Sequence, residues 1–353
     1  MEGGGPAPLW PTSKLDKTNV DLPNATLGQG AAGPAHSKIG VRLLSGRSPL
    51  SLFPFFTFHP YPLYHPLMTR RWHIVGQTLN IGERTLVMGV LNVTPDSFSD
   101  GGFFAATDKA IQHAEQMIAQ GADIIDIGGE STRPGGTAVF LEEELKRVMP
   151  VIEQLANRIT VPFSIDTTKA EVATAALNAG AAIVNDISGL RFDPSLADVA
   201  AKAGAGLVLM HSRGQPGMMH GLPRVGNIFE EVSTSLRSSV SVAEKRGVKR
   251  ESIVVDPGIG FGKSHEQNLE LIAKLDQLAR AFADFPILIG TSRKSFIGRV
   301  LGGAAENERI HGTMATITAA ILRGAHIVRV HDVKAAIETA RTVDAIQKVN
   351  REP

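Results

Sequence analysis

The sequence predicts an α/β protein folded as a (β/α)8 barrel, or TIM barrel, over residues 68–353. From about Arg71 onward, short apolar runs rich in β-branched residues alternate with longer amphipathic segments, which is typical of βα units around a parallel sheet. Eight such units in roughly 280 residues fit a closed barrel better than an open doubly wound sheet. A glycine follows several of the predicted helices, where it can adopt the left-handed conformation that ends a helix.

Each predicted strand is a short apolar run bounded by turn residues. The eight strands are predicted, in chain order, at Leu86–Val93, Asp123–Gly128, Pro162–Asp166, Ile183–Ile187, Leu207–His211, Ile253–Asp256, Pro286–Gly290 and Ile327–Val330. Helices are predicted at Thr107–Gln120, Glu142–Asn157, Lys169–Asn178, Phe229–Lys245, Gln267–Ala281, Gly312–Leu322 and Val333–Lys348. Before the barrel, Trp72–Val75 and Thr78–Ile81 flank Gly76-Gln77, which predicts a hairpin that closes the barrel bottom.

Residues 1–67 differ in composition from the rest of the chain. Residues 1–40 are rich in Gly, Pro, Ala, Ser and Asn, and residues 50–67 are aromatic but repeatedly interrupted by proline. Proline at this density blocks both helices and central strands. A secretory signal is disfavoured because the basic start, the apolar run and the cleavage site do not line up. Two explanations stay open: a disordered extension, or translated upstream sequence with the true start at Met68.

Composition excludes several classes of function. The net charge is +1, from 36 basic and 35 acidic residues, which gives no reason to expect nucleic acid or an anionic membrane as the main partner. The absence of cysteine excludes disulfides, zinc–thiolate sites and thiol nucleophiles, and it fits a cytoplasmic protein. No apolar run reaches the roughly 20 residues that span a bilayer.

Polar residues follow almost every predicted strand at its carboxyl end. In a (β/α)8 barrel these ends meet at one mouth, where active sites are found. A buried carboxylate or amide is costly unless it is paired, so a ring of them needs a ligand, a metal or each other. For any single Asp or Asn, a capping role at the following helix is an equally good explanation. For all eight strand ends together it is a poor one.

Two groups of these residues suggest a chemistry. Asp166, Asn185 and Asp256 suit a flat heterocycle with several N–H donors, such as a 2-amino-4-oxo-pyrimidine ring, because carboxylates accept and an amide both donates and accepts. Lys294 supplies a cation nearby. These residue types predict a site for a small aromatic molecule rather than for a polymer.

A second group suits an anion. Arg329 and His331 lie two residues apart on one strand and therefore point to the same side. With Asn92 they predict a grip for a diphosphate, with or without a divalent ion. The alternative for Arg329 and His331 is a surface salt bridge, which the largely apolar strand disfavours.

Two glycine-rich loops follow the first two strands, at residues 94–102 and 131–136. They are either lids that order over a substrate or simply long connections. Phe98 and Phe261 are candidate apolar walls for an aromatic substrate. The glycines of 258–262 lack the spacing of a dinucleotide-binding fingerprint.

Seven segments resemble, in order and spacing, those of the dihydropteroate synthases of folate biosynthesis. They are MGVLNVTPDSFSDGG, GADIIDIGGESTRPG, FSIDT, IVNDISG, DPGIGFGK, GTSRKSFIG and RVHDV. The resemblance covers residues 71–350. It implies a pterin-binding barrel that joins 6-hydroxymethyl-7,8-dihydropterin diphosphate to 4-aminobenzoate and releases diphosphate. It also implies a homodimer that forms through the late helices.

The resemblance also implies roles for individual residues. The pterin would be held by Asp166, Asn185, Asp256 and Lys294. The diphosphate would be held by Asn92, Arg329 and His331, with Mg²⁺ at Asn92. The aminobenzoate site would be shaped by Thr132, Arg133, Pro134, Phe261 and Ser295, and a further substrate contact would come from Met210. Among these, Lys294, Asp166, Arg329 and His331 are the predicted catalytic residues. The reaction would be dissociative, so that diphosphate leaves before the arylamine attacks.

Two alternatives stay open on the sequence. A pterin-binding methyltransferase would share Asp166, Asn185 and Asp256 but would not need Lys294 or the anion grip. A catalytically silent pterin-binding paralogue would be expected to lack a loop residue such as Thr132, which this chain retains. Both alternatives fit the sequence less well than a synthase.

Overall fold

A computed structural model of the chain describes residues 70–94, 102–130, 139–215, 219 and 222–349. The strands in these residues are β1 Arg70–Ile74, β2 Gln77–Ile81, β3 Leu86–Asn92, β4 Ile124–Gly128, β5 Phe163–Asp166, β6 Ile183–Asp186, β7 Gly206–Met210, β8 Ile253–Asp256, β9 Leu288–Ile289 and β10 Ile327–Val330. The α-helices are α1 Gly102–Ala119, α2 Leu141–Leu155, α3 Ala170–Asn178, α4 Ser195–Ala203, α5 Ile228–Lys245, α6 His265–Ala273, α7 Leu275–Ala281, α8 Ser295–Val300, α9 Ile310–Leu322 and α10 Val333–Val349.

Strands β3 to β10 form a parallel barrel. Their order around the sheet is β8-β7-β6-β5-β4-β3-β10-β9, and each hydrogen-bonded pair is parallel. A bridge between Val255 and Ile287 joins the two ends of this order, and Val255 N donates to Pro286 O at 3.1 Å. At least one helix separates each pair of consecutive strands. The predicted (β/α)8 barrel is therefore confirmed.

The helices pack on the outside of the barrel through apolar stripes. In α2 the buried residues Val148, Val151, Ile152 and Leu155 recur at helical spacing, while the first turn carries three glutamates. Acidic residues there also complement the positive end of the helix dipole. The helix therefore presents one face to the sheet and keeps its amino-terminal end near the mouth of the barrel.

The interior of the barrel changes from apolar to polar along the strands. On β6, Ile183 precedes Asn185 by two residues, and on β8, Val254 precedes Asp256 in the same way. Residues two apart on a strand point to the same side, so each polar group stands one layer above an apolar one. The lower layer is a buried cluster of Trp72, Ile74, Ile81, Leu86, Met88, Ile124, Ala182, Ile183, Val208, Val254, Leu288 and Ile327.

The hairpin β1–β2 closes the bottom of the barrel, as predicted. Trp72 is fully buried in the lower apolar layer, and its Nε1 donates to Ser252 O at 3.0 Å. Gly206 lies against this ring, because a Cβ there would come within 3.1 Å of the Trp72 ring and 2.7 Å of Ile74. The base of the barrel is therefore filled by apolar side chains. A ligand site would have to lie at the opposite end.

Three helical features differ from the sequence prediction. The helix predicted over 267–281 is split at Lys274, whose φ of −105° and ψ of 17° leave the helical region, into α6 and α7. Neither α4 nor α8 was predicted; the six residues of α8 are too few for a clear apolar periodicity. α6 begins with a capping box between Ser264 and Gln267, which fixes its start two residues before the predicted one.

The two explanations for residues 1–67 concern residues that lie outside the described part of the chain. The described part begins at Arg70, whose Nη1 donates to Phe285 O at 3.0 Å. No helix of the described residues is both long and apolar enough to cross a membrane.

Candidate active site

A narrow cavity opens at the carboxyl end of the barrel strands. Five consecutive strands and the loops after them, from β6 to β10, supply its walls. The lining residues are Asn185, Ile187, Met210, Asp256, Ile259, Phe261, Gly290, Ser292, Lys294, Arg329 and His331. The mixture of apolar walls with a few buried polar groups is typical of a small-molecule site.

Asp126, on β4, is the most highly connected carboxylate beneath this cavity. It is fully buried, and its oxygens accept hydrogen bonds from Arg329 Nε at 2.6 Å, from Asn185 Nδ2 at 3.1 Å and from Ser164 Oγ. These partners come from three different strands. Because a buried carboxylate without partners would be costly, the network fixes Arg329 and Asn185 relative to each other.

Arg329, on β10, bridges two acids across the barrel. Its Nε pairs with Asp126, and its Nη2 donates to Asp166 Oδ2 at 2.7 Å. Burial alone would lower the pKa of Arg329, but the two carboxylates raise it above its usual range. The guanidinium is therefore a permanent positive charge at the floor of the cavity.

Asp166 carries a strongly perturbed carboxyl group. Burial, helped by the carboxylates of Asp126 and Glu144 and opposed by Arg329, raises the pKa of Asp166 to about 7. A carboxyl group of this kind changes charge near neutral pH, and such groups cluster at functional sites.

Asp256 projects from the end of β8 with 4% of its surface exposed. Its Oδ1 accepts a hydrogen bond from Gly258 N at 2.7 Å. Burial raises the pKa of Asp256 to about 6, against the opposing effects of that hydrogen bond, Lys263, Arg329 and Lys294. Asp256 is therefore a carboxylate at neutral pH that is poised to accept N–H groups from a ligand.

Lys294 stands over an aromatic ring at the wall of the cavity. Its Nζ lies 4.0 Å from the centroid of the Phe261 ring, a cation–π arrangement. Burial lowers the pKa of Lys294 to about 8, and Arg329 lowers it further, whereas Asp256 and Asp166 raise it. The amine is thus mainly protonated at neutral pH, and it lies between the floor and the mouth.

The backbone before Lys294 is held in a strained conformation. Arg293 has a φ of +57°, which non-glycine residues rarely adopt. Its side chain is directed to Asp332, with Nε 2.9 Å from Oδ2, and its backbone N–H donates to Thr313 Oγ1 at 3.1 Å. These contacts hold a turn that sends Lys294 into the cavity and ties it to the end of β10.

His331 follows β10 at the rim of the cavity. Its Nδ1 lies 3.0 Å from Ser292 Oγ, which also accepts from the backbone N–H of His331 at 3.2 Å. Burial and the neighbouring cations Arg329, Arg293 and Lys294 together lower the pKa of His331 to about 3. The imidazole is neutral at physiological pH and takes part as a hydrogen-bonding group.

A second buried ion cluster lies beside β5. Lys169 Nζ lies 2.9 Å from Glu130 Oε2 and 2.5 Å from Glu144 Oε2. Glu130 directly precedes segment 131–138, and Glu144 lies in the first turn of the helix that follows it. Lys169 therefore ties together the two ends of this segment.

The structure brings most of the predicted site residues together. Asn185, Met210, Asp256, Phe261, Lys294, Arg329 and His331 line one cavity, and Asp166 is joined to it through Arg329. Asn92 ends β3 opposite Gly128 of β4 and is half-buried, but it is not among the lining residues. Ser295 begins α8 and is exposed. The predicted residues Thr132, Arg133 and Pro134, with Phe98, lie outside the described part of the chain.

Two contributors were not predicted. Asp126, on β4, received no predicted role, although its carboxylate accepts hydrogen bonds from Arg329 and Asn185. Ser292 lines the cavity, whereas the prediction chose Ser295, because the sequence does not show that the turn at Arg293 reverses the chain direction. The signal for Asp126 was its spacing: it precedes Gly128 by two residues, on the inward face of β4.

A larger open cleft lies at the other end of the barrel, beside the hairpin. It has a volume of about 420 Å³, and its lining includes His73, Lys249 and three glycines, Gly76, Gly204 and Gly247. His73 is half-buried and Lys249 is exposed, so the ionisable groups of this cleft are largely in water. The cavity at the carboxyl end, with its buried charges, is the better candidate for chemistry.

Comparison with known proteins gives the same result over most of the chain. Residues 88–331 match the family model of pterin binding enzymes. A dihydropteroate synthase from Synechocystis is 50% identical over 273 residues, which is 77% of this chain and 94% of that protein. The Burkholderia cenocepacia dihydropteroate synthase complexed with 7,8-dihydropteroate matches with a TM-score of 0.72 and 41% identity, covering 81% of this chain and 99% of that one. The Xanthomonas albilineans dihydropteroate synthase with 4-aminobenzoic acid matches with a TM-score of 0.73 and 40% identity, covering 81% and 100%.

Proposed function

The chain belongs to the pterin binding enzymes and, among them, to the dihydropteroate synthases, and from that membership we propose how its residues carry out the reaction. The enzyme is a transferase of folate biosynthesis. It condenses 6-hydroxymethyl-7,8-dihydropterin diphosphate with 4-aminobenzoate to give 7,8-dihydropteroate and diphosphate. The observation that carries the assignment of roles is the cavity in which buried acids, an amide and three basic side chains converge.

The pterin ring binds at the floor of the cavity. Asp256 accepts the neighbouring N–H groups of the 2-amino-4-oxo-pyrimidine edge, because a carboxylate with two oxygens matches two adjacent donors. Asn185, held by Asp126, reads a further edge of the ring, and Lys294 donates to an acceptor on it. Asp166 belongs to the same group of pterin-binding residues and is held in place by its hydrogen bond from Arg329. Met210 and Ile187 form apolar walls beside the ring.

The aminobenzoate ring binds nearer the mouth. Phe261 offers an aromatic face, and Lys294 lies above that face at 4.0 Å. A benzoate ring placed here gains apolar contact with Phe261 and electrostatic attraction from Lys294. Ser295 and segment 132–134 are proposed to complete this part of the site.

The diphosphate is held by Arg329, His331 and Asn92. Arg329 supplies a permanent charge, and neutral His331 supplies a ring N–H. The family resemblance also implies Mg²⁺. In the described residues no group of three or more His, Asp or Glu side chains could hold a metal ion, so a cage built of protein ligands does not fit. A single amide oxygen from Asn92 does fit, because Mg²⁺ commonly binds few protein groups and keeps substrate phosphates and waters as its other ligands. When bound, the ion would neutralise charge on the diphosphate.

The reaction needs charge stabilisation and positioning more than a nucleophile from the protein. The bond between the methylene carbon and the diphosphate oxygen breaks, and its electron pair leaves with the diphosphate. Arg329 and Lys294 stabilise the developing negative charge, while Asp166 and Asp256 offset the positive charge on the pterin methylene group. The amine lone pair then forms the new C–N bond, and the amine nitrogen loses one proton. Holding the two substrates in line accounts for the remainder of the rate enhancement.

We propose that the enzyme is a homodimer that forms through its late helices. Six of the eight exposed large apolar side chains of the described residues lie on or next to α6, α8, α9 and α10: Leu269, Val300, Leu301, Leu322, Ile346 and Val349. These helices are neighbours, since α6 contacts α8 and α9, and α9 contacts α10. Apolar side chains gathered in this way are typical of an interface between subunits. Val300→Asp should give a monomer by light scattering, whereas Phe140→Asp, at an exposed apolar residue elsewhere, should not.

We also propose a cytoplasmic location, which the absence of cysteine from the sequence supports.

The proposed site is tested by an assay for diphosphate release with the pterin diphosphate and 4-aminobenzoate, with and without Mg²⁺. We expect release that depends on both substrates and is faster with Mg²⁺. Lys294→Ala should lose roughly 10² to 10³ in turnover, as when a transition-state charge partner is removed. The matched control is Lys274→Ala, which removes a lysine paired with Glu270 at 2.7 Å. Near-normal turnover in Lys294→Ala would overturn the role given to this lysine.

A further inference from the structure

The side chain of Lys263 is a buried cation that the mechanism above does not use. Its Nζ donates to Gly258 O at 2.7 Å, to His211 O at 3.2 Å and to Phe261 O at 3.2 Å. An ammonium has three N–H donors, so three backbone carbonyls account for all of them. Lys263 thereby joins the end of β7 to the loop that follows β8.

That loop has an unusual backbone that converges its carbonyl groups. Gly258, Gly260 and Gly262 have φ values of +66°, +87° and +71°. Only glycine adopts such values easily. At Gly258 the backbone also approaches its neighbour closely, because a Cβ there would lie 1.9 Å from His211 O. Carbonyl dipoles that point toward one another repel, and the ammonium at their centre offsets this repulsion.

The loop that Lys263 organises carries the walls of the cavity. Asp256 begins it, and Phe261 lies in it next to the Lys294 ammonium. Gly260 packs against the same side chain, since a Cβ there would come within 3.0 Å of Lys294 Cδ. A displacement of the loop would therefore move Phe261 and Lys294 together.

We propose that Lys263 is a positioning residue for the synthase reaction, acting as an internal template ion whose three N–H donors set the loop 256–263 in the geometry that binds pterin. The inference rests on the proposed function, because it takes this cavity to be the pterin site. The role requires the donors themselves and not only the positive charge.

The chemistry around Lys263 agrees with this role. Burial lowers the pKa of Lys263 to about 7, and Asp256 and Glu231 oppose the shift. A lysine that served only stability would gain little from such a position, because burying its charge is unfavourable. The free-energy cost of burying this charge is accounted for if the charge organises the loop that binds the substrate.

The absence of cysteine from this chain allows an atom-by-atom test. In Lys263→Cys, the new thiol is the only one in the protein, and it is alkylated in denaturant before refolding. Reaction with 2-bromoethylamine rebuilds a lysine-like ammonium with three N–H donors. Reaction with (2-bromoethyl)trimethylammonium gives a side chain of similar length that keeps the charge and has no N–H donor. The wild-type protein passes through both reactions as the refolding control.

We expect Lys263→Cys to raise the KM for the pterin diphosphate about tenfold or more, as when groups of a site are misplaced by a fraction of an ångström. The aminoethylated protein should return to within a few fold of the wild-type KM, and the trimethylammonium protein should not. A structural role alone would lower the thermal midpoint and the active fraction, and so kcat, but leave the KM of the folded molecules unchanged. Lys274→Cys, taken through the same steps, should keep the wild-type KM throughout.

Three results would overturn the proposal: a wild-type KM in Lys263→Cys, equal rescue by both reagents, or rescue by neither while the wild-type control refolds. If Lys263→Cys does not refold, Lys263→Met is purified directly in native form, and its KM is measured against the same prediction. Asp256→Asn separates the two levels of inference. If Asp256→Asn binds the pterin diphosphate normally, the proposed pterin site is wrong. If Asp256→Asn binds it weakly but the Lys263 variants do not behave as predicted, the pterin site is supported and the positioning role of Lys263 is wrong.

Discussion

Arg329 Nε lies 2.6 Å from the Oδ2 of Asp126, a fully buried carboxylate 203 residues earlier in the chain. The pair spans neighbouring layers of the barrel, and Arg329 continues across it to Asp166 at 2.7 Å. Because Arg329 and Asn185 both bond to Asp126, this carboxylate sets the spacing between the proposed diphosphate and pterin contacts.

The first prediction follows from this pair. Asp126→Asn should lower kcat/KM by about 10²-fold, because Arg329 and Asn185 lose the charge that orients them. Breaking a buried ion pair should also lower the free energy of unfolding by about 3 kcal/mol, measured in urea. Ser164→Ala is the matched control, since it removes a neutral partner of the same carboxylate. An Asp126→Asn enzyme as active as Ser164→Ala would show that the pair does not organise the site.

The second prediction concerns pH and Asp256, whose pKa burial raises to about 6. As a carboxylate it accepts the pterin N–H groups, so kcat/KM for the pterin diphosphate should fall as the pH drops through about 6. Asp166, with a pKa raised to about 7, contributes a second step. In Asp256→Asn the step near pH 6 should disappear, while the titrations of Asp166 near pH 7 and of Lys294 near pH 8 should remain.

The same raised pKa has the opposite effect on stability. The unfolded carboxyl group ionises near pH 3.8 and the folded one near pH 6, so between these values the folded state binds more protons. The stability contributed by Asp256 is therefore complete below about pH 3.8 and is lost as the pH rises through 6. Relative to Asp256→Asn, the wild type should lose up to about 3 kcal/mol between pH 4 and pH 7. A pH-independent difference between the two proteins would contradict the raised pKa.

The third prediction concerns His331. His331→Ala should raise the KM for the pterin diphosphate with a smaller change in kcat, because the residue is proposed to hold the diphosphate in ground and transition states alike. The KM for 4-aminobenzoate should stay within about twofold of the wild-type value. The lost contact is with the diphosphate, so it contributes uniform binding energy to the pterin diphosphate and not to 4-aminobenzoate. An unchanged KM for the pterin diphosphate would count against the proposed grip.

The binding of an anion should also change the titration of His331. Burial and three nearby cations lower the pKa of His331 to about 3 in the free protein. A bound diphosphate adds negative charge beside the ring, so its pKa should rise. NMR titration of the ring proton, assigned with His331→Gln, should show this rise on addition of diphosphate.

The fourth prediction concerns the cluster of Lys169 with Glu130 and Glu144. Lys169→Met should lower the free energy of unfolding by about 3 kcal/mol, because Glu144 is fully buried and would lose its cation. Adding Glu144→Gln to this variant should restore part of the loss, and the double-mutant cycle gives the coupling. If the double variant were less stable than Lys169→Met, Glu144 would not be the group that needs the charge.

The fifth prediction concerns residues 1–67. A protein that begins at Met68 should fold and turn over like the full chain, because the hairpin and barrel described from Arg70 onward contain the complete lower core. Circular dichroism, the thermal midpoint and kcat/KM provide the measurements. An insoluble or inactive truncate would show that the barrel requires the extension.

The sequence by itself determined the order of the strands, most of the helices between them and the residues at the strand ends. Apolar periodicity is a local property, so it can be recognised in the sequence alone. The carboxyl ends of the parallel strands of a barrel must also lie at one rim. That is why Asp256, Lys294 and His331 could be assigned to one mouth although they are far apart in the chain. The seven motifs carried the family assignment, which the comparisons confirm.

Only the tertiary structure decided which charges meet. The bonds of Arg329 to Asp126 and Asp166, and those of Lys263 to three carbonyl groups, depend on strand register and on a loop that passes through left-handed conformations. The division of the predicted helix at Lys274 and the strained turn at Arg293 are likewise settled by contacts with distant residues. The physical reason is that pairing energies become large only where water is excluded, and burial is a property of the assembled barrel.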